Sequence, residues 1–148
     1  MNTFCKATSI AIGMMLSAGS LAADAQRKYI PEKAGTAPFS QGVMVGNTLY
    51  LAGMLGLDPK TGQAPADPKV EIKLVMDSLK QVVESAGYTM DDLVSVQIFC
   101  TDLALYDSFN EIYRTYFKGR FPARAFLGAD KLLRGARFEV MGIAAKDK

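Results

Sequence analysis

Few residue types are available for chemistry, because the sequence contains no histidine and only two cysteines, Cys5 and Cys100. Without histidine, neither Ser-His-Asp nor Cys-His catalysis is possible. A transition-metal site is close to excluded as well, since such sites depend on histidine and cysteine ligands. Any chemistry must therefore use arginine, carboxylates, hydroxyls, backbone groups and water.

Arg124 is the strongest candidate for a functional side chain. A guanidinium group can grip a carboxylate through two parallel hydrogen bonds, and Pro122 stiffens the segment that leads to this arginine. The residues alone leave two interpretations open. Arg124 either binds a carboxylate ligand, or it is a surface arginine, exposed or paired with an acid of another subunit.

Residues 1–23 have the composition of a secretory signal peptide. Lys6 is their only charge, and a small, apolar run leads to a small-residue exit at Ala22-Ala23. A membrane anchor is the alternative, but the run is diluted by glycine and serine and is short for a membrane span. We predict a cleaved signal at 1–23 and a periplasmic or secreted mature protein, 24–148, without a membrane anchor.

Residues 24–148 are enough for a single domain. The loss of Lys6 lowers the formal net charge from +2 to about +1, a near-neutral value that gives no reason to expect a nucleic-acid partner. Since Cys100 is then the one remaining cysteine, an internal disulfide is excluded despite the oxidising compartment.

A β-hairpin is predicted in the first part of this domain. Two short strands, 42–45 and 48–52, are joined by Gly46-Asn47, residues that suit the positive φ values of a tight turn. A possible edge strand at 28–30 precedes them, and the turn-rich segment 58–62 follows as a loop.

The next element is the clearest, a helix that Asp67 can cap and that Gly87 closes. Pro68 occupies the favoured first helical position. One face carries apolar residues at helical spacing, which indicates a helix packed on a sheet. These residues are Ile72, Val75, Leu79, Val82, Val83 and Ala86.

The second half continues with a strand at 94–100, a helix at about 105–117, and strands at about 123–127 and 137–145. The first of these strands alternates with period two, and Cys100 shares the parity of its apolar residues, so we interpret Cys100 as a core residue rather than a nucleophile. The order of elements predicts an α+β domain, two helices on one face of a mixed sheet. The other face is apolar and uncovered, which favours a symmetric oligomer.

Several motifs together resemble the Rid (reactive intermediate deaminase) family, in order and over nearly all of 28–145. They are Phe39-Ser40-Gln41-Gly42, Asp58-Pro59-Lys60-Thr61-Gly62, Asn110, Phe121-Pro122-Ala123-Arg124-Ala125 and Phe138-Glu139-Val140-Met141-Gly142-Ile143-Ala144. The resemblance implies a chorismate-mutase-like fold with a mixed six-stranded sheet. It also implies a homotrimeric barrel with sites in the clefts between subunits.

The activity implied by the resemblance is hydrolysis of 2-imino acids and their enamines to 2-oxo acids and ammonia, without a cofactor or metal. An imine carbon conjugated to a carboxylate is already electrophilic, so the protein mainly has to position the substrate and a water molecule. In this interpretation Arg124 holds the substrate carboxylate, and Gly53 and Asn110 support it.

The sequence departs from the family pattern at several positions that are usually polar. Phe39 replaces a tyrosine, Ala52-Gly53-Met54 replaces Ser-Gly-Gln, and Phe126 replaces a cysteine. Met141 aligns with the carboxylate that is implied to place the attacking water. Glu139 lies two residues earlier on the same strand face, roughly 7 Å away along the strand.

Three functional hypotheses follow. The first is a 2-imino acid or enamine deaminase with Arg124 as the anchor. The second is a trimeric protein that binds small carboxylates without efficient hydrolysis, in an apolar cleft made by Phe39, Met54, Phe126 and Met141. The third and weakest is a ribonuclease or translation inhibitor. Its basic surface would consist of Lys118, Arg120, Arg124, Lys131, Arg134 and Arg137.

Overall fold

One six-stranded mixed sheet organises the chain, with the strand order β1-β2-β3-β6-β4-β5. The structure is a computed structural model and describes residues 26–31 and 35–147, so the predicted signal peptide lies outside the described residues. The strands β4 and β5 pair in parallel, and all other neighbours pair antiparallel, which confirms the predicted mixed sheet. The strands are β1 (Arg27–Ile30), β2 (Gly42–Val45), β3 (Thr48–Leu55), β4 (Leu93–Cys100), β5 (Ala123–Gly128) and β6 (Phe138–Ala145).

The hairpin between β2 and β3 forms as predicted, with Gly46 at a φ of 59°. Glycine adopts this left-handed backbone conformation without steric cost. The predicted end of β3 at residue 52 is wrong, because the strand continues to Leu55 after a register shift between Leu51 and Met54. The segment Ala52-Gly53-Met54 therefore lies inside the sheet, at an irregularity in the pairing of β3 with β6.

The helix α1 (Pro68–Ser85) covers one face of the sheet and has the predicted boundaries. The Asp67 side chain accepts a hydrogen bond from the backbone N–H of Lys69 at 2.8 Å, and Gly87 follows the helix with a φ of 81°. The apolar stripe is buried on β3 and β6, except for the half-buried Ala86. Each fully buried aliphatic side chain contributes about 1.5–3 kcal/mol to this packing.

The second helix is shorter than predicted. The helix α2 covers Tyr106–Tyr113, and 3₁₀ turns at Leu103–Leu105 and Arg114–Tyr116 flank it. Phe109 and Tyr113 are buried. Tight 3₁₀ turns are common at helix ends, which explains why the apolar pattern extended beyond the α-helical part.

At the start of β4 the predicted facing of one residue is wrong. Val94 was expected on the buried face, but 48% of its surface is exposed, whereas Leu93 is buried. A register shift between Leu93 and Ser95 in the pairing with β6 reverses the facing of the strand start. Beyond the shift, Val96, Ile98 and Cys100 point into the core as predicted.

The described residues leave the sheet face opposite the helices uncovered in a single chain. Along β6, Phe138 and Val140 are buried beneath the helices, while Met141 and Ile143 lie on the other face and are half-buried. Tyr50, the register partner of Ile143, is 49% exposed on that face. Within the described residues, no helix is long and apolar enough to cross a membrane.

Candidate active site

Arg124 lies on β5, the strand at the edge of the sheet. Its register partner on β4 is Val96, which is fully buried beneath the helices. Paired residues of neighbouring strands project to the same side of a sheet. Arg124 therefore points to the helix-covered side, towards α2.

Two polar side chains of α2 hold the guanidinium group. Arg124 Nη1 donates a hydrogen bond of 2.7 Å to Asn110 Oδ1, and Nη2 donates one of 3.3 Å to the Tyr106 hydroxyl. Tyr106 and Asn110 are four residues apart, which places them on the same helix face. A guanidinium group has five N–H donors, so three remain for a ligand.

Aromatic rings enclose the same guanidinium group. Its central carbon lies 4.8 Å from the ring centroid of Tyr113, 5.6 Å from that of Tyr106 and 5.8 Å from that of Phe126. Such cation–π contacts stabilise a charge that is partly removed from water. No carboxylate among the described residues pairs with Arg124.

The Tyr113 hydroxyl is buried without a hydrogen-bond partner among the described residues, and only 3% of the residue is exposed. Burial raises its pKa to about 12, against the opposing effect of the Arg124 charge. The hydroxyl therefore remains protonated at neutral pH and is available as a donor beside the guanidinium group.

A cleft of about 210 Å³ opens at Arg124. Pockets for drug-sized ligands have volumes of roughly 300–1,000 Å³, so this cleft suits a metabolite of a few carbon atoms. None of its lining residues is acidic. They are Tyr106, Asn110, Tyr113, Arg114, Phe121, Pro122 and Arg124.

A second, larger cavity of about 860 Å³ lies between the strands β1 and β3 and the helix α1. Its lining includes three of the predicted ligand-binding residues, Phe39, Gly53 and Met54. Phe39 is 62% exposed, whereas Met54 is mainly a core residue with 8% exposure. Arg134 also lines this cavity, in a left-handed conformation with a φ of 56°.

Glu139 lies against Gly53, one of the residues that line this cavity. A Cβ atom on Gly53 would overlap the Glu139 carboxyl group, lying 2.8 Å from its Cδ and 3.1 Å from its Cγ. Only glycine therefore allows the carboxylate to lie against the backbone of β3 at this point. The Glu139 carboxylate has no hydrogen-bond or ion-pair partner in the described part of the chain.

The predicted site residues thus fall into separate groups in one chain. Arg124, Asn110 and Phe126 come together at α2, whereas Phe39, Gly53 and Met54 line the larger cavity. Met141 lines neither cavity. Its register partner is Gln97, on the face opposite Arg124, and Glu139 shares that face.

Sequence reasoning missed four residues of the small cleft, namely Tyr106, Tyr113 as a site residue, Arg114 and Phe121. A signal for two of them was present. Tyr106, Asn110 and Tyr113 have the spacing of one helix face, i, i+4 and i+7.

The basic residues that the ribonuclease hypothesis required do not form one free surface. Arg137 Nε lies 2.8 Å from Oε2 of the fully buried Glu71. The other carboxylate oxygen of Glu71 accepts hydrogen bonds from the backbone N–H groups of Arg137 and Phe138, at 2.5 and 3.0 Å. Arg124 is engaged at α2, so two of the six basic residues are held elsewhere.

Cys100 is a core residue, as predicted. It is fully buried, and its thiol donates a hydrogen bond of 3.0 Å to the carbonyl oxygen of Asp102. Burial raises the pKa of the thiol, so the reactive thiolate is disfavoured. Within 26–31 and 35–147, no group of three or more histidine, cysteine, aspartate or glutamate residues is arranged to hold a metal ion.

Comparison with known proteins relates this fold and cleft to a family. Residues 29–146 match the family described as Endoribonuclease L-PSP. A mouse protein named 2-iminobutanoate/2-iminopropanoate deaminase is 37% identical over 114 residues, 76% of this chain and 84% of its own. A RutC family protein of Sulfurisphaera tokodaii is 36% identical over 110 residues, 74% of this chain and 88% of its own.

Solved structures agree with these relatives. The YjgF gene product of E. coli has a TM-score of 0.72 and 32% identity, over 77% of this chain and 92% of that chain. The E. coli protein TdcF, whose structure contains bound serine, has a TM-score of 0.72 and 28% identity, over 76% of this chain and 91% of that chain.

The mixed sheet, the two helices on one face and the arginine-bearing cleft define a Rid-type α+β protein. The chain belongs to the Rid family, also described as Endoribonuclease L-PSP, as the resemblance of its motifs implied. Homologues from mouse, rat and human carry the name of an imine deaminase, which supports this activity at the level of the family.

Proposed function

We propose that this protein hydrolyses 2-imino acids and their enamine tautomers to 2-oxo acids and ammonia, without a cofactor. The observation that carries the proposal is the state of Arg124. Its guanidinium group is held by Asn110 and Tyr106, packed among three rings, and has no carboxylate partner in the described chain. An oriented cation of this kind in a small cleft is suited to bind an anionic ligand.

The reaction needs little from the protein beyond orientation. Water adds to the imine carbon C2, the nitrogen takes up a proton, and the tetrahedral intermediate expels ammonia to leave the 2-oxo acid. Arg124 holds the carboxylate next to C2 through its unused N–H donors. Asn110 and Tyr106 fix the guanidinium plane and so determine the direction from which C2 is presented.

We assign to Glu139 the role of placing the attacking water. In the family pattern this role belongs to a carboxylate at the position that Met141 occupies in this chain. Its side chain lies against Gly53, which lines the larger cavity, and it has no hydrogen-bond or ion-pair partner in the described residues. A free carboxylate at this place can accept a proton from a water molecule. The departure at Met141 is then compatible with hydrolysis.

Arg124 and Glu139 project from opposite faces of the sheet in one chain. They can act on one substrate only if a second copy supplies one of them. We therefore propose a homotrimer with clefts between subunits, in which Arg124 of one copy faces the Gly53–Glu139 region of the next. The uncovered sheet face, which includes Tyr50 and Ile143, gives the physical reason for association.

Binding of a small carboxylate without efficient hydrolysis is the second candidate. The observation that favours it is the apolar character of the predicted lining, in which Phe39 and Met54 flank the larger cavity and Phe126 packs beside Arg124. The two candidates share the anchor Arg124 and differ in whether a water molecule is activated.

The test of both candidates is imine hydrolysis by purified protein, with the imine made in situ by an amino-acid oxidase. Arg124→Ala is expected to weaken ligand binding by about 2–4 kcal/mol, because charge-assisted hydrogen bonds in a partly desolvated site are lost. Arg124→Lys recovers little, since an ammonium group lacks the planar fork. The exposed Arg120, which lines neither cavity, provides the matched control Arg120→Ala.

Two variants separate hydrolysis from binding. Glu139→Gln is expected to lower kcat by roughly 10²–10⁴-fold with little change in binding if Glu139 places the water. Met141→Glu is then expected to add no activity. A large gain in turnover would instead show that the water is placed by a carboxylate at position 141. Normal binding and turnover by Arg124→Ala would contradict both candidates.

We also propose that the protein acts outside the cytoplasm after cleavage of residues 1–23. The support is the composition of this segment, with its single charge at Lys6 and its small-residue exit. Mass spectrometry of the protein from a periplasmic fraction is expected to find an N-terminus near Asp24 and a free thiol at Cys100. An intact Met1 in that fraction would contradict the proposal.

A further inference from the structure

A second guanidinium group lines the small cleft beside Arg124. It belongs to Arg114, which follows the last residue of α2 and begins the 3₁₀ turn Arg114–Tyr116. Its central carbon lies 5.9 Å from the ring centroid of Phe121, another residue of the cleft wall. The ring provides a surface on which the planar guanidinium group can stack.

Neither arginine is paired with an acid of the described chain. No ion pair with an acid is formed by Arg114 or Arg124 among the described residues, and the lining of the cleft contains no aspartate or glutamate. Glu111, one of the two acids of α2, pairs with Lys69 of α1 at 3.0 Å. Within 26–31 and 35–147, the lining of this cleft of about 210 Å³ therefore carries two positive charges and no negative one.

The two cations differ in how firmly they are held. Arg124 is the fixed one, since Asn110 and Tyr106 hold it, and it suits the carboxylate next to the reacting carbon. Arg114 makes no such hydrogen bonds and is exposed, so it can adjust to a more distant anionic group. The small volume of the cleft in a single chain, about 210 Å³, favours a ligand with a short side chain.

We propose that Arg114 forms a subsite for a second carboxylate and that the preferred substrates are imines of short acidic amino acids, 2-imino dicarboxylates of four or five carbons. This inference rests on the proposed function and specifies its substrate class. Arg124 holds the 1-carboxylate, Arg114 holds the distal carboxylate, and the reaction at C2 is unchanged, with water added and ammonia released. An enzyme that oxidises acidic amino acids to their imines must supply the substrate.

The test compares the imines of glutamate or aspartate with the imine of 2-aminobutanoate, each made in situ by an oxidase of matching specificity. The readout is the ratio of kcat/KM for the dicarboxylic imine to that for the monocarboxylic imine. In Arg114→Gln this ratio is expected to fall by roughly 10- to 100-fold, the value of one charge-assisted contact. Arg120→Gln, which removes a nearby charge outside the cleft, is expected to preserve the ratio.

Salt provides a second readout of the same subsite. Arg114 is exposed, so its attraction for a distal carboxylate is screened as ionic strength rises. The preference of the wild-type protein for the dicarboxylic imine is therefore expected to decline between about 0.02 M and about 0.5 M salt, where the Debye length has fallen to roughly 4 Å. A preference that is insensitive both to salt and to Arg114→Gln would overturn the proposal.

Calorimetry separates this proposal from the hydrolysis on which it rests. The probes are 2-oxoglutarate and 2-oxobutanoate, the dicarboxylic and monocarboxylic products. If no imine is hydrolysed but 2-oxoglutarate binds more tightly in an Arg114-dependent way, the subsite stands and the deaminase function fails. If imines are hydrolysed with no preference for the dicarboxylate, the deaminase function stands and the subsite fails.

Discussion

The Gly53–Glu139 contact allows a test of the water-placing role without removing the carboxylate. In Gly53→Ala the new Cβ atom would overlap the Glu139 carboxyl group, with Cδ at 2.8 Å and Cγ at 3.1 Å. The overlapped atoms are the far end of a flexible side chain, so Glu139 can rotate away while the backbone remains in place. The carboxylate is retained but moves from its position.

The expected cost in stability is small. A displaced rotamer of Glu139 costs about 0.5–1.5 kcal/mol. Replacing glycine by alanine stabilises the folded state by about 0.4–1 kcal/mol, because it lowers the conformational entropy of the unfolded chain. The free energy of unfolding should therefore change by less than about 1 kcal/mol. Activity should fall by roughly 10²-fold or more, because a catalytic group that moves by 1 Å loses most of its effect.

Gly56→Ala is the matched control. A Cβ atom there would overlap the backbone carbonyl oxygen of Glu71 and lie 2.8 Å from its Cγ. Since backbone cannot rotate away, we expect a loss of about 1–3 kcal/mol or more in the free energy of unfolding. The two alanine variants thus distinguish a loss of activity caused by a displaced side chain from one caused by a destabilised fold.

The measurements are imine hydrolysis and urea unfolding of Gly53→Ala, Glu139→Gln and the double variant. If both changes act on the same group, the double variant is no worse than Glu139→Gln alone, a non-additivity typical of coupled residues. A Gly53→Ala protein with wild-type stability and nearly wild-type turnover would refute the assignment of Glu139 to the water.

Three further predictions concern stability and assembly. Glu71→Ala should lower the free energy of unfolding by about 3–5 kcal/mol, measured in urea, because Arg137 and two backbone N–H groups lose a buried partner. Tyr113→Phe should be neutral or stabilising by up to about 1 kcal/mol at pH 7, since it removes an unsatisfied buried hydroxyl. As the folded pKa of Tyr113 is raised to about 12, its contribution is present below pH 10 and is lost as the pH rises towards 12, and Tyr113→Phe should lack this loss in alkaline unfolding. Sedimentation of residues 24–148 should give a trimer of about 40 kDa at micromolar concentration, and a monomer would contradict the proposed clefts.

Local sequence signals predicted the helices and the sheet. They did not predict features that depend on contacts between residues far apart in the sequence. Asp67, Pro68 and Gly87 predicted the boundaries of α1 because capping depends on neighbouring residues. Glu71, in the same helix, is fully buried. Its burial depends on Arg137, 66 positions later, which no local pattern can reveal.

The candidate site likewise combines features that the sequence predicted with features that it did not. Arg124 and Asn110 were predicted from the motifs and do meet, at 2.7 Å. The separation of Gly53 from Arg124 was not predictable, because it depends on the order and the facing of the strands, with β6 and β4 lying between β3 and β5. The parity error at Val94 has this origin too, since one register shift reverses the facing of every residue before it.

The opposite facing of Arg124 and Glu139 leads to a final prediction about the assembly. If each cleft takes Arg124 from one copy and Glu139 from the next, Arg124→Ala and Glu139→Gln damage different sides of it. When the two inactive proteins are unfolded, mixed equally and refolded, random assembly makes roughly one cleft in four intact, so about a quarter of wild-type turnover should return. Each variant refolded alone should stay inactive. Mixed trimers that form, as shown by differently tagged subunits, yet recover no activity would show that the two residues do not share a cleft.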